Sequence, residues 1–301
     1  MPHSNTERQS FAHFTEHRFD EAYALLQPLL TDGNAETQAL GRYLFALGLY
    51  LQSPQHLRRC VTLTREVLDQ TPGTPTLQVK ALINGLLYAR AAGDSDQTAT
   101  FALRLRVLMG TPAIMNGQWL GRCKNNLGFH YQALGDHART SACLAESVEW
   151  HRHNQGPWSE RDRQCYLGRS LTGLAEEHIR DGADRQAERT LNELRPLLAD
   201  KRPEMIGYIE GLLAERNGDY QTAAGTFEAA LAAARSHDEH DAAMKILYAL
   251  ARVYRLRNEC QKLRDLLRPV IADYAQARLV SQVVRLQRLA KMVPGGEGMV
   301  S

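Results

Sequence analysis

Two short stretches hold side chains of the kind that ligate metals. His151 and His153 stand two apart, and His237, Asp238, Glu239, His240 and Asp241 run consecutively. Imidazole and carboxylate donors this close could hold a divalent cation if the backbone gathered them round one point. Both stretches fall where the apolar pattern breaks, and polar residues are the default in connecting loops, so no metal is expected at either. Spacing offers no other chemistry: GxGxxG, GxxxxGK[ST], GxSxG and HExxH are all missing from the sequence. No catalytic residue and no cofactor is expected, and the chain is read as a protein that is not an enzyme. His178 takes the place that Tyr131 and Tyr254 hold in comparable segments, which makes it a core residue rather than a base.

The elements that would position any site come from an internal repeat. Gly211, Ala214, Gly218, Asp219, Tyr220, Ala223, Phe227 and Ala230 recur in order as Gly128, Tyr131, Gly135, Asp136, Thr140, Leu144 and Ser147, and more loosely from Ala175 to Leu194. A small residue lets two antiparallel helices approach, a bulky one fills the next layer, and Gly-Asp breaks the chain between them. Anchors at Gly48, Leu86, Gly128, Ala175, Gly211 and Ala251, with a degenerate one near Phe11 or Ala12, give about seven helix pairs. Each second helix should carry a small, a large and an apolar residue at helical spacing. The sets run from Ala22, Leu26 and Leu29 to Leu263, Leu267 and Val270.

These residues resemble the tetratricopeptide repeat family. The resemblance implies an all-α, right-handed superhelical solenoid with ligands on a concave wall lined by the first helices. The long steps between anchors also resemble the sensor arrays of bacterial quorum-sensing peptide receptors. A single repeat domain is expected over 1–293. Within it, a terminal helix at about 275–292 covers the last repeat, and 294–301 form a disordered tail.

That register indexes the wall. Six residues before the six anchors stand Arg42, Lys80, Arg122, Arg169, Met205 and Lys245; Lys and Arg fill 36 of 301 positions, so chance would place fewer than one cation there. Side chains at one repeat position project alike, which predicts a basic stripe flanked by Arg90, Arg180, Arg252 and Arg255 and suited to an acidic or carboxylate-bearing peptide. The competing reading makes them solvated charges on a rim. Asn84, Asn125 and Asn126 could donate to and accept from a peptide backbone, and Phe45, Phe129, Tyr208 and Tyr248 could add apolar contact.

Three functions are carried forward. The first is a peptide- or protein-binding module, the second a peptide-sensing regulator that changes superhelical pitch, and the third an RNA-binding array. A formal charge of +2 is small for nucleic-acid binding. Residues 1–40 read as an ordinary repeat with no separate helix-turn-helix reader, so direct DNA binding is not expected. No stretch has the apolar run of a leader or a membrane span, and the five cysteines form no CxxC pair. A cytoplasmic protein with reduced, buried thiols is expected.

Overall fold

A computed structural model describes residues 4–115, 119–153, 159–237 and 239–276. Those residues are helical throughout, with no strand among them. They pair as α1 (Ser4–Thr15) with α2 (Phe19–Leu30), α3 (Ala35–Gln52) with α4 (Leu57–Gln70), and α5 (Pro75–Ala92) with α6 (Ser95–Met109). After the single-turn α7 (Pro112–Met115) come α8 (Leu120–Ala133) with α9 (His137–His153), and α10 (Glu160–Arg180) with α11 (Asp184–Leu198). The last pairs are α12 (Pro203–Arg216) with α13 (Tyr220–Ser236), and α14 (His240–Leu256) with α15 (Cys260–Gln276). Seven pairs match the repeat count. The expected covering helix at about 275–292 falls, beyond Gln276, outside the described residues, as do the expected tail 294–301 and residues 154–158.

Two compact units divide the chain, one within Met1–Asn126 and one within Leu127–Ala272, with α8 running through the boundary. In the first, Phe14, Ala22, Leu26, Leu29 and Leu44 build a core under the first hairpins. In the second, Val148, Leu171, Ala175, Leu191, Leu194 and Ile209 belong to one buried cluster. The second-helix sets are buried at every position except Val270, which is half-buried. Polar members are satisfied locally: Thr64 donates to the Cys60 carbonyl at 2.9 Å, and the Ser147 and Ser170 hydroxyls bond at 2.8 Å.

The hairpin turn repeats as faithfully as the core. Gly93, Gly135, Gly182 and Gly218 have φ of 70–78°, and His17 and Asn258 take the same left-handed place at 57° and 58°. Each turn returns the following N–H five residues back, as from Asp136 to the Tyr131 carbonyl (2.9 Å) and from Asp219 to Ala214 (3.0 Å). This is the Schellman closure, and glycine suits its positive φ. The aspartates then cap the second helices: Asp94, Asp136 and Asp219 accept from the backbone N–H of Gln97, Arg139 and Thr222. Between α3 and α4 a 3-10 turn, Pro54–His56, replaces this device. Ser159 caps α10 by accepting from the Asp162 N–H, with Glu160 and Asp162 in the first turn as the sequence implies.

No helix among the described residues is long and apolar enough to cross a membrane. All five cysteines are free; Cys60 and Cys123 are buried and the other three half-buried. Burial pushes the Cys60 and Cys123 thiols up to about 12, so neither forms thiolate near neutrality.

A Cβ on Gly211 would stand 2.5 Å from the Phe227 ring, whereas one on Gly225 meets nothing within 4 Å. Gly211→Leu should therefore cost about 1–3 kcal/mol or more through overpacking. Gly225→Ala, on an exposed helical site, should gain about 0.5–1 kcal/mol. Thermal unfolding followed by circular dichroism checks both, and equal melting temperatures for the two variants would contradict the packing scheme.

Candidate functional site

In the second unit, first helices supply most of the wall of a cleft of about 520 Å³. Gln132 enters from α8, Glu176, Glu177, Ile179 and Arg180 from α10, Tyr208, Leu212, Glu215 and Arg216 from α12, and Arg252 and Leu256 from α14. His137 and Tyr220, at the starts of α9 and α13, complete it. Each side chain is carried by a turn or a half-turn around an anchor buried in the hairpin seam, so the lining is set by the same packing that holds the repeats. Its apolar members are Ile179, Tyr208, Leu212 and Leu256, and three arginines stand against three glutamates.

The charges are engaged with each other. Lys245 on α14 donates to Glu176 at 2.7 Å and lies 3.5 Å from the Gln132 amide oxygen. Its ammonium also sits 4.9 Å from the Phe129 ring centre and 5.9 Å from that of Tyr208. Arg252 forks onto both oxygens of Glu215 at 2.5 Å. Glu177 is 2% exposed, yet Gln132 (3.1 Å), His137 (3.0 Å) and Arg180 (2.7 Å) all face it, which is what a buried carboxylate requires. Glu176 and Glu215, at 11% and 13% exposure, lie deeper than the cations that cover them. Burial, and secondarily the Glu176 charge, raise the Tyr208 phenol well above its ordinary value.

The first unit presents a second cluster. Lys80 on α5 donates to Glu7 on α1 at 2.5 Å and stands 5.8 Å from the centre of the Trp119 ring. Arg122 lies over the same ring at 4.8 Å. Asn84, one turn after Lys80, meets the Tyr43 hydroxyl on α3 at 3.4 Å. Asn126 turns back to the Arg122 carbonyl at 2.9 Å.

Among the sequence-derived candidates, then, Phe129, Tyr208 and Lys245 come together, with Arg252 on the same cleft, while Lys80, Arg122 and Asn84 share the other cluster. Tyr248 is half-buried on α14. Arg169 is half-buried and makes no hydrogen bond or ion pair among the described residues. Arg42 departs from the column, because Glu66 (3.3 Å) and Gln70 (2.7 Å) of α4 hold its guanidinium on its own hairpin. Asn125 is 1% exposed, too deep to offer its amide to a peptide. The unanticipated residues are the acids, Glu7, Glu176 and Glu215, with Gln132 and Trp119. Their signal was available: Glu176 follows its anchor by one and Glu215 by four, the register that located the cations.

The histidine clusters also differ from expectation. His151 and His153 belong to the last turn of α9 rather than to a loop. His151 is 1% exposed and stacks on Tyr166, and His153 bonds to the Glu149 carbonyl at 2.9 Å. No group of three or more metal-type side chains is gathered among the described residues. His178 is half-buried in α10, 3.4 Å from the Thr190 hydroxyl, and burial lowers its pKa.

The sequence matches no protein-family model and no curated protein. Solved structures match its fold. A Rap protein complexed with competence and sporulation factor has a TM-score of 0.66 at 12% identity, covering 95% of this chain and 80% of that one. The apo form of RapI has 0.54 at 11%, over 97% and 88%. A tetratricopeptide repeat protein from Parabacteroides merdae ATCC 43184 has 0.55 at 12%, over 96% and 98%. The likeness is one of architecture: the chain is an all-α helical-repeat protein of tetratricopeptide type.

Tyr23 (to about 12), Tyr88, Tyr208 and Tyr254 all have phenols raised chiefly by burial. A raised phenol contributes stability that is complete below the unfolded pKa of about 10 and is lost as pH climbs through the folded value. Alkaline titration should therefore show part of the phenolate absorbance arriving together with loss of helicity. Tyr208→Phe should remove one tyrosine from that late step; a loss from the early, pH 10 step instead would show that Tyr208 is open to solvent.

Proposed function

We propose that this protein is a non-catalytic peptide- or protein-binding module that captures its ligand on the wall built by its first helices. The carrying observation is the cleft in the second unit. Four successive first helices line it with the apolar side chains of Ile179, Tyr208, Leu212 and Leu256 and with paired charges whose acids, Glu176, Glu177 and Glu215, are nearly buried. That combination of shape, apolar contact and a few convergent polar groups is what a recognition site needs. A ligand carboxylate would bind by taking Lys245 or Arg252 from Glu176 or Glu215, or Lys80 and Arg122 in the first unit. The Rap protein complexed with competence and sporulation factor, and the tetratricopeptide arrays among the fold neighbours, support this reading.

A second reading, a regulator that changes shape with its ligand, is favoured by one particular. The pairs tie different repeats together: Arg252 of α14 holds Glu215 of α12, and Lys245 of α14 holds Glu176 of α10. A ligand that claimed those cations would loosen ties between hairpins, giving it different affinity for two states. Neutralised cations speak against the RNA-binding array, which needs positive charge left over for phosphates. A cytoplasmic setting remains part of the proposal.

The test is a peptide array of acidic and free-carboxyl-terminal sequences probed with the full chain. Lys245→Glu combined with Arg252→Glu at the cleft, or Lys80→Glu combined with Arg122→Glu at the first unit's cluster, should abolish capture, a loss of tenfold or more, with helicity intact, since these side chains lie on the helix faces away from the seams. The pair whose reversal abolishes capture locates the site. Undiminished capture by both variants would remove the cations from the binding site. Small-angle scattering with a captured peptide separates the two readings: an unchanged profile rejects the switch.

A further inference from the structure

The Glu7–Lys80 pair differs from the other wall pairs in where its acid stands. Glu176 and Glu215 belong to the middles and ends of helices packed on both sides, whereas Glu7 lies in the first turn of α1. That helix is fastened further along, by Ser10 at 0% and Phe14 at 1% exposure, while Asn5, Arg8 and Gln9 around Glu7 are exposed. Its tip can therefore lift from α5 without unpacking the Phe14 core, because terminal turns open at little cost. The contact it makes is a carboxylate on a cation, 34% and 19% exposed.

The surroundings of Lys80 are those of an anion seat. Two cations, Lys80 and Arg122, lie over one Trp119 ring that is 6% exposed. Two cations against one nearly buried ring raise the local positive potential, which an anion lowers. Asn84 adds an amide one turn along α5. From α1, Glu7 supplies the anion in cis.

We infer that Glu7 is an internal stand-in for a ligand carboxylate, and that Lys80, with Trp119 and Arg122 beside it, is the seat it vacates when the ligand arrives. This rests on the reading of the first-helix wall as the ligand surface. The stand-in competes at the high effective concentration of a tethered group, so it sets a threshold that a ligand must exceed. Since a half-exposed ion pair contributes little, the threshold is modest, a factor of about two to five in affinity. The seat's ligand chemistry is a carboxylate, from an acidic side chain or from a chain terminus.

Fluorescence anisotropy on the full chain at low salt tests this with two labelled probes, hexaglutamate amide and an alanine-leucine pentapeptide with a free carboxyl terminus. Glu7→Gln should tighten one or both probes about two- to fivefold. The probe that gains identifies the source of the carboxylate. Lys80→Gln should weaken binding and make it indifferent to Glu7→Gln. Glu16→Gln, which removes an acid just past the other end of α1, should change nothing. Hydrogen exchange gives the second readout: the bound probe should speed exchange of amides 8–11, which bond to the carbonyls of the first turn, in the wild type and not in Lys80→Gln. Binding unchanged or weakened in Glu7→Gln, with Lys80→Glu plus Arg122→Glu still abolishing it, would overturn the stand-in and leave the wall standing. Equal tightening by Glu16→Gln would reduce the effect to general charge and overturn it too. Failure of every variant and the wild type to bind either probe would overturn the stand-in together with the wall.

Discussion

The structure depends on one contact repeated along the chain: a small residue in the middle of each first helix receives a large residue from a helix beside it. Gly128 lies under Leu144, and Gly211 under Phe227, so closely that no Cβ fits between them. At Gly48 the guests are Phe14 and Tyr23 of the preceding pair. Dispersion at such close approach is strong because many atoms meet at once, and it falls steeply if the helices separate. The left-handed turn makes the contact reproducible. It ends the first helix and starts the second at a fixed angle, whether the residue there is Gly218 or, with more strain, Asn258.

In the second unit the seam faces are held inward and the other faces of its first helices line the cleft, where the physics changes from packing to charge. Cations and acids on that wall are near enough to bond, and each satisfied pair reduces the field that a distant anion would feel. Under the proposed function, a ligand at the second unit's cleft would bind by exchange: it would replace one partner of a pair and would have to leave the other no worse off, since an abandoned, nearly buried Glu176 or Glu215 would cost several kilocalories. A peptide that brought a carboxylate for the cation and a donor for the acid would meet both demands.

The fold was legible because its determinants are local and periodic. Residues such as Ala187, Leu191 and Leu194 declare a buried face by their spacing, and Gly-Asp declares the turn. Neither needs knowledge of another repeat. The wall was half legible. Lys80, Lys245 and Arg252 were found from register alone, but register gives a side chain's starting direction and not the reach of a flexible one. Arg42 shows the difference: its guanidinium bends back to Glu66 and Gln70 on α4. Asn125 shows another, for one position away from the wall an amide already lies in the seam at 1% exposure. Partners seventy residues apart, as Glu7 and Lys80 nearly are, leave no trace in spacing.

Charge pairing on the first helices agrees with a formal charge of only +2 for the whole chain. A stripe of unpaired lysines and arginines would repel itself along the wall and attract polyanions without discrimination. Setting Glu215 against Arg252, and Glu176 against Lys245, removes both costs and ties the hairpins together. If the proposed ligand addresses these pairs, stability and recognition would draw on one set of bonds, and a tighter array would bind more weakly unless the ligand matched both members of a pair.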